Sequence, residues 1–352
     1  MQLPHFHPTP RNSKSLLARS IAFGWAGAHR TRKTWLLLLF GLALTAISIR
    51  AGTKPDVLVL RPDIQPYRDA YRGMFEEIGD QFNVAEFLIS RDTKVDEVGW
   101  VVESLDPRLV VLMGNYAIRH YRGYLDRSKS YAKRRPVVGL MAILVERQLK
   151  NLPNAAGIQY EVQGVTIFTH LRSLVRAPIK RVGVLVRKNQ NFFIQGQIPA
   201  CAREEIELVP YVLPSTAPRM DKHIKYGLRH LIRIEKVDAL WILNDSVIVS
   251  PEMLQDVWIP VLNRYRKPVV VGVERLLRPP IELGQFAVVP DHYELGVQAA
   301  QLVWDISERD WQAADLGFQA PLSVKKLLNR KKMESSIGMN EDVIMEIDLV
   351  IE

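Results

Sequence analysis

Cysteine and long apolar runs are both scarce in this sequence, and each shortage excludes a class of protein. Cys201 is the only cysteine among 352 residues, so an intramolecular disulfide and a cysteine-based metal cluster are excluded. The longest uncharged apolar run covers residues 35–49. As a helix it would span roughly 22 Å, short of the ~30 Å hydrocarbon core of a bilayer. The chain is 47% hydrophobic and 24% charged, which excludes a disordered protein. A mean hydropathy of -0.04 and a single membrane-like segment disfavour a polytopic membrane protein.

Acidic residues are absent from residues 1–54, which hold eight of the 47 basic residues. The rest of the chain then has 39 basic against 38 acidic residues, a net of +1, so nearly all of the net charge of +9 belongs to this leader. A basic segment ahead of a short apolar run is typical of a secretory signal peptide or an uncleaved signal anchor. The basic end stays cytoplasmic. The sequence therefore predicts an extracytoplasmic, periplasmic body, anchored to the inner membrane by residues 35–49 if they are retained.

Beyond residue 55, short apolar runs alternate with amphipathic segments. Continuous apolar runs are typical of strands covered on both faces, as in parallel sheets, and the segments between them suit crossover helices. The sequence thus predicts an α/β fold with parallel sheets, and residues 151–157 are interpreted as a crossover between two sets of strands. The predicted strands cover residues 57–60, 109–113, 136–140, 181–186, 239–243, 268–273 and 286–289.

Several segments resemble the ABC-transporter substrate-binding protein family whose characterised members bind aromatic amino acids, a branch of the type I periplasmic binding fold. Residues 237–258 read VDALWILNDSVIVSPEMLQDVW and match the family's strand, polar Asp-containing loop and Pro-started helix. Residues 290–306 read PDHYELGVQAAQLVWDI and are similar to a helix of that family. Residues 56–78 and 107–117 match the first lobe more loosely, and residues 324–338 resemble the closing strand and helix.

The resemblance implies two Rossmann-like lobes with parallel sheets around a cleft, in the type I periplasmic-binding-protein architecture, preceded by an N-terminal signal or anchor helix. In this division the leader is residues 1–54, and the N-terminal lobe contains residues 56–145 and 287–310. The C-terminal lobe contains residues 150–286, and residues 311–352 return to the hinge.

Two loops depart from the family pattern at places where a ligand would touch the first lobe. Residues 114–117 are Gly-Asn-Tyr-Ala in place of Gly-Thr-Pro-Ala, and residues 141–144 are Met-Ala-Ile-Leu in place of a small Ser/Gly-rich loop. Ligand identity therefore does not transfer from the family to this chain.

Candidate ligand-binding residues follow from the rule that ligands of open α/β sheets lie beyond the carboxyl ends of the strands. Arg61 could pair with a carboxylate and Tyr67 could stack on an apolar group, or this loop could be a cleft rim whose charges pair with each other. The full set after the predicted strands is Arg61, Asp63, Gln65, Tyr67, Gly114, Asn115, Tyr116, Asn244, Asp245, Ser246, Glu274 and Asp291.

Each remaining candidate has a second interpretation. The polar residues 244–246 could fix an ammonium or carboxylate, or form an ordinary turn. Tyr116 could line the cleft or cap the core. Glu274 could accept a hydrogen bond from a ligand amine or pair with a neighbouring arginine. Asp291 is predicted to cap a helix rather than contact ligand.

The function predicted from these residues is an exported solute-binding protein of an ABC-type uptake transporter, without enzymatic activity, cofactor or metal. Its partners would be a small solute, such as an amino acid or a related molecule, and the transporter's permease subunits. The alternative is a membrane-tethered periplasmic sensor or scaffold with a degenerate ligand site, favoured by bulky Met141 and Ile143. A hydrolase or transferase would need a paired acid and base, and Asp245 with Glu274 is the only pair found. The basic residues within 119–135 are interpreted as a solvated outer face, and no nucleic-acid partner is expected.

Overall fold

A computed structural model describes residues 54–128 and 135–352 of the chain. The apolar run at residues 35–49, and with it the predicted signal or anchor helix, lies outside these residues. Within the described ranges, no helix combines the length and the apolar character needed to cross a membrane.

Strands and helices alternate along the described chain. The strands are β1 (Val57–Arg61), β2 (Val84–Leu88), β3 (Leu109–Met113), β4 (Val137–Leu140), β5 (Ala155–Ile158), β6 (Arg181–Arg187), β7 (Glu207–Leu213), β8 (Ala239–Ile242), β9 (Val269–Val271), β10 (Phe286–Pro290), β11 (Phe318–Gln319), β12 (Val324–Asn329) and β13 (Leu349–Ile351). The helices are α1 (Gln65–Ile78), α2 (Val95–Leu105), α3 (Gly114–Arg127), α4 (Val145–Leu149), α5 (Gly164–Leu174), α6 (Asn191–Arg203), α7 (Met220–Arg229, continued by the π-helical turn His230–Ile234), α8 (Pro251–Met253, Leu254–Trp258 and Ile259–Leu262), α9 (His292–Glu308) and α10 (Arg330–Ser336). Short 3₁₀ turns lie at Lys188–Gln190, Glu274–Leu276, Ala314–Leu316 and Glu341–Glu346.

The strands form two separate sheets in the described part of the chain. The first has the order β11-β5-β4-β3-β1-β2, and all its pairs are parallel. The second has the order β13-β12-β10-β9-β8-β6-β7, in which only the β10–β12 pair is antiparallel. The predicted α/β class with parallel sheets is therefore confirmed. We call each sheet with the helices packed on it the first lobe and the second lobe.

Each sheet is covered by helices on both faces, as its continuous apolar strands predict. In the first lobe, α1 and α9 cover the face that contains Val57 and Val59, while α2 and α3 cover the face that contains Leu58 and Leu60. In the second lobe, α7 and α8 cover one face and α5 and α6 cover the other. Side chains that alternate along a buried strand thus enter two different cores.

Helices α1 and α9 approach each other at the backbone, although more than 200 residues separate them. A Cβ atom added to Gly296 would lie 1.9 Å from the carbonyl oxygen of Ala70, and one added to Gly73 would lie 2.2 Å from that of Tyr293. Only glycine fits at such distances. This contact fixes the start of α9 against the first lobe, directly after the chain leaves β10.

The chain crosses between the lobes three times, at residues 159–163, at the junction of β10 with α9, and at residues 320–323. Two expected boundaries are therefore corrected. Residues 151–157 are not the crossover, because β5 pairs with β4 in the first sheet and its small residues are buried there. Residues 287–290 belong to the second sheet through β10, whereas they had been assigned to the N-terminal lobe.

Two helix starts and the C-terminal segment agree with the sequence analysis. The Ser250 hydroxyl accepts a hydrogen bond from the Met253 N–H at 3.4 Å, and the Asp291 carboxylate accepts from the Tyr293 N–H at 3.1 Å. Residues 324–338 do form a strand and a helix, β12 and α10. The charged residues of this segment therefore did not prevent the strand from forming.

Candidate functional site: the interlobe cleft

A cavity of about 60 Å³ lies where the carboxyl ends of β8, β9 and β10 face the loop that follows β4. Its walls come from both lobes and from the first crossing between them. Most of the lining is apolar, and it consists of Ile143, Leu144, Tyr160, Glu161, Val162, Ile167, Gln190, Phe193, Trp241, Leu243, Asn244, Gly272, Val288 and Pro290. We call this space the inner cavity. Its position is the one that the strand-end rule gives for ligands of parallel α/β sheets.

The aromatic wall of the inner cavity is held rigidly by packing. Trp241 is 4% exposed and makes an edge-to-face contact with Phe168, with ring centroids 5.3 Å apart and planes at 87°. Its ring also lies 6.2 Å from that of Phe193, which lines the cavity beside it. Edge-to-face pairs at such distances are favourable. The wall is therefore preformed, with little side-chain freedom left to lose when a ligand binds.

A larger space of about 680 Å³ adjoins the inner cavity and shares Leu144, Glu161 and Phe193 with it. We call it the outer cavity. The outer cavity is lined by both acidic and basic side chains, whereas the lining of the inner cavity has no basic side chain. The full lining consists of Leu144, Val145, Glu146, Arg147, Lys150, Gln159, Glu161, Phe192, Phe193, Gly196 and Gln197.

Glu161 lies at the junction of the two cavities, in the first crossing. Its Oε1 accepts a hydrogen bond from the Leu144 N–H at 2.7 Å, which joins the crossing to the loop after β4. Burial raises the pKa of the Glu161 carboxyl, and backbone hydrogen bonds oppose that shift. Within the described ranges, no lysine, arginine or histidine forms an ion pair with this carboxylate.

The first and second crossings between the lobes are joined by Tyr160 and His292. The Tyr160 hydroxyl lies 3.0 Å from His292 Nε2, and the two rings are nearly parallel, 7° apart with centroids at 6.0 Å. Burial lowers the pKa of His292 and raises that of Tyr160. Both rings are therefore uncharged at neutral pH, as a hydrogen bond between partly buried groups requires.

Of the candidates predicted after strands of the second sheet, only Asn244 lines the inner cavity. Asp245 is 2% exposed and pairs with Arg187 at 2.6 Å, and its other oxygen accepts from the Val247 N–H. Ser246 is exposed to solvent. Asp245 therefore holds the loop together underneath the cleft rather than facing a ligand.

Glu274 and Asp291 are each engaged by a neighbouring basic residue. Glu274 pairs with Arg278 at 2.6 Å, which is one of the two interpretations given to it above. Asp291 caps α9 and pairs with Lys325 at 3.0 Å. Neither residue belongs to the lining of the inner cavity.

The loop after β1 points toward the edge of the first sheet. Arg61 is 6% exposed, forms an ion pair with Glu86 of β2 and lies 5.0 Å from the centroid of the Tyr71 ring. This burial between β2 and α1 turns its guanidinium away from the inner cavity. Asp63 pairs with Arg68 at 3.1 Å. Charges of this loop thus pair with each other and with neighbouring elements.

Two further candidates of the first lobe lie on α1. Gln65 is exposed and donates to Asp69 at 2.9 Å. The Tyr67 ring lies on Gly114, where a Cβ atom would be 2.7 Å from its hydroxyl oxygen. Gly114 has a φ of +88°, so this position needs glycine for its backbone as well as for its space.

Asn115 and Tyr116 begin α3 and have different surroundings. The Asn115 side-chain oxygen accepts from the N–H of Ile143 at 2.8 Å, so it supports the loop that lines the inner cavity. Tyr116 packs against the core of α2 and α3, and the guanidinium of Arg119 lies 4.7 Å from its ring. Asn115 is therefore close to the cleft as a positioning residue, whereas Tyr116 belongs to the lobe surface and core.

Sequence reasoning missed most of the residues that form the cavity. Tyr160 and Glu161 lie two and three residues after the end of β5. If residues 155–158 had been recognised as a strand, the same strand-end rule would have selected both. Trp241 lies within the predicted strand 239–243 rather than after it, so the strand-end rule did not select it. Phe193 follows β6 after a short turn, and no polar pattern marks it.

A metal site is not found in the described residues, because no three His, Cys, Asp or Glu side chains come together there. The Cys201 thiol is buried in the second lobe, and burial raises its pKa to about 11. It is consequently a packing residue with little thiolate character.

Comparison with known proteins gives a fold but no sequence family. No family model matches the chain, and no curated protein matches it. A solved structure of a substrate-binding protein with adhesive properties from Clostridium difficile, in its ligand-free, open form, aligns with a TM-score of 0.60 at 12% identity, over 84% of this chain and 98% of that one.

Two further solved structures align over a similar share of the chain. A conserved domain protein from Vibrio cholerae gives a TM-score of 0.56 at 15% identity, over 85% of this chain and all of that one. An ABC domain in complex with L-Trp from Streptococcus pneumoniae gives 0.52 at 16% identity, over 84% of this chain and all of that one. The described chain thus has the type I periplasmic-binding-protein fold, as the sequence resemblance implied.

Proposed function

We propose that this protein is an extracytoplasmic solute-binding protein that takes up a small molecule in the interlobe cleft and presents it to the membrane subunits of an ABC-type transporter. The observation that carries the proposal is the inner cavity, whose walls come from both lobes and from the crossing between them. Two structures with this fold are described as a substrate-binding protein and as an ABC domain with bound L-Trp, which supports the same class of function.

The mechanism would be binding followed by hinge closure. A ligand that touches Ile143 and Leu144 of the first lobe together with Trp241 and Asn244 of the second gains its full contacts only when the lobes are together. Such a ligand binds the closed form better than the open form and shifts the equilibrium by that difference in affinity. The transporter would recognise the closed arrangement.

The test is a thermal-shift and small-angle scattering screen of the full-length protein against small amines, acids, alcohols, sugars and amino acids. A true ligand should raise the melting temperature and reduce the radius of gyration. The variant Ile143→Trp adds bulk to the cavity wall, and Ile143→Val serves as its matched control. We expect the tryptophan variant to weaken ligand binding about tenfold or more, because overpacking costs about 1–3 kcal/mol.

A second candidate function, a sensor or scaffold module, is favoured by the small volume of the inner cavity. About 60 Å³ holds only a few water-sized groups, and Ile143 occupies space where the family resemblance would place a small polar residue. If no compound of the screen shifts the melting temperature or the radius of gyration, the transport proposal fails. Co-purification of the full-length protein with a membrane partner would then support the sensor.

A further inference from the structure

Glu161 is a partly buried carboxylate without a cationic partner among the described residues, and it sits where the inner and outer cavities meet. Charges withdrawn from water are normally paired in proteins, because they lose part of their hydration. The Leu144 N–H donates to Oε1 of Glu161, and the backbone N–H groups of Tyr160 and Glu161 also interact with the carboxylate, so its direction is fixed. Such an arrangement is suited to a cationic group that arrives with the ligand.

The rest of the inner cavity lining contains no basic side chain that could pair with an anion. Glu161 and Tyr160 are the only ionisable residues of its lining, and both are acids. The basic residues of the cleft, Arg147 and Lys150, belong to the outer cavity. Arg147 is already engaged there, since it donates to the Asn189 carbonyl and stacks on Phe192 at 5.1 Å. A ligand carboxylate placed in the inner cavity would therefore be repelled by Glu161 and would find no positive charge in the lining.

The volume of the inner cavity sets the size of the group that fits. A cavity of about 150 Å³ is the kind that holds benzene, and the inner cavity has about 60 Å³. An aromatic ring is too large for it in the observed arrangement of the lobes. A chain of roughly four or five non-hydrogen atoms fits, at about 10–15 Å³ for each water-sized group. Its surroundings would be Trp241, Phe193 and aliphatic side chains, which suit an alkyl body.

We propose that the ligand of this cleft is a small protonated alkylamine, with its ammonium group against the Glu161 carboxylate and its alkyl chain among Trp241, Phe193 and Val288. The proposal rests on the proposed function, since it names the chemical class of solute that the cleft takes. The ring face of Trp241 attracts a cation, and the same ring contributes apolar surface to the cavity. Asn244 and Gln190 provide hydrogen-bonding groups at the wall.

The ionisation of Glu161 should make the affinity for alkylamines depend on pH. The ammonium group needs the ionised carboxylate, and burial raises the pKa of Glu161 above its usual range in the ligand-free protein. Alkylamine affinity should therefore be highest at pH 7–8 and fall as the pH is lowered and Glu161 takes up a proton. An uncharged alcohol of the same length would show no such change.

The experiment is calorimetric titration of the full-length protein with four probes that share a four-carbon chain: n-butylamine, n-butanol, butyrate and 4-aminobutyrate. Phenethylamine tests the size limit. We expect n-butylamine to bind at least about tenfold more tightly than n-butanol, and butyrate to bind most weakly, because only the amine gains the ion pair. This comparison needs no variant, so it does not depend on whether a substitution folds.

The variant Glu161→Gln keeps the shape of the side chain and removes its charge, and Glu308→Gln at the exposed end of α9 is the matched control. We expect Glu161→Gln to weaken n-butylamine binding roughly 30-fold or more, and Glu308→Gln to leave it unchanged. Unchanged n-butylamine binding in Glu161→Gln, with the melting temperature retained, would overturn the proposal. So would failure of n-butylamine to bind the wild-type protein.

The two proposals fail in different ways. If butyrate, 4-aminobutyrate, phenethylamine or another compound of the wider screen binds best, and Ile143→Trp blocks it, the solute-binding function stands and the alkylamine class is wrong. If no compound of either series binds, both proposals fall.

Discussion

The guanidinium carbon of Arg147 lies 5.1 Å from the centroid of the Phe192 ring, and these two residues belong to different lobes. Arg147 is part of α4 in the first lobe, whereas Phe192 begins α6 in the second. The same guanidinium donates to the backbone carbonyl of Asn189, just before α6. Both contacts lie at the outer cavity, so they join the lobes at the mouth of the cleft.

Removal of the Arg147 side chain should loosen the closed arrangement. An exposed cation–π contact contributes about 0.5–1 kcal/mol, and we expect Arg147→Ala to shift the equilibrium toward the open form by up to about fivefold. Hydrogen exchange should become faster in residues 143–150 and 188–193. The control is Arg119→Ala, which removes a similar contact with Tyr116 inside the first lobe. Equal exchange in both variants would contradict a role for Arg147 between the lobes.

The partly buried His292 should make the free energy of unfolding decrease in mild acid. Burial lowers its pKa in the folded protein, so the unfolded chain binds a proton more readily below about pH 6.5. The free energy of unfolding should therefore fall as the pH drops from about 6.5 to the folded-state pKa of His292, and this contribution should stop changing below that pKa.

The measurement is urea unfolding of wild type and His292→Gln between pH 8 and pH 5. The variant should show a shallower fall, although a part remains because burial also lowers the pKa of His170. The exposed His223 provides the control variant His223→Gln, which should keep the wild-type slope. Parallel curves for wild type and His292→Gln would exclude the proposed protonation.

Asp245 should be needed for stability rather than for ligand contact. It pairs with Arg187 at 2.6 Å and its side chain is 1% exposed, so Asp245→Ala leaves a buried arginine without its counter-ion. Breaking such a pair costs about 3–5 kcal/mol, which corresponds to a melting temperature lower by about 6 °C or more. Ser246→Ala, at the neighbouring exposed position, should change stability by less than about 0.5 kcal/mol. A melting temperature near wild type for Asp245→Ala would show that the pair is not required.

Gly296 and Gly196 should respond to alanine in opposite directions. At Gly296 the new methyl group would lie 1.9 Å from the Ala70 carbonyl, so α1 and α9 must separate, at a cost of about 1–3 kcal/mol or more. At Gly196, inside α6, nothing lies within 4 Å, and alanine should stabilise the helix by about 0.5–1 kcal/mol. Denaturant unfolding of both variants checks the sign of each effect. Destabilisation by the same amount at both positions would contradict this account of the packing.

The fold was predictable where apolar runs are long and uniform. The residues of β1, β3 and β6 are covered by helices on both faces, so their sequences show the continuous hydrophobicity by which they were recognised. The strands that were missed lack this signal. β7 lies at the edge of the second sheet and is only partly buried, so its sequence mixes polar and apolar residues. β5 is Ala-Ala-Gly-Ile, and its small residues are typical of a turn as well as of a tightly packed strand.

The site was predictable in position but not in its residues. The strand-end rule led to Asn244, which lines the inner cavity, and to Asn115, which supports the loop beside it. It failed for Arg61 because the direction of a side chain after a strand depends on its partners, and Glu86 of β2 draws Arg61 toward the sheet edge. Glu161 was missed because the strand before it was missed.

The three crossings have a consequence for the order in which the protein can assemble during synthesis. β11, the last strand of the first sheet, is residues 318–319, and β13 of the second sheet is residues 349–351. The first sheet is therefore incomplete until residue 319 has been synthesised, and the second until residue 351. A nascent or prematurely terminated polypeptide that stops near residue 310 therefore leaves strand edges of both sheets unpaired at once, and such edges are sites of aggregation.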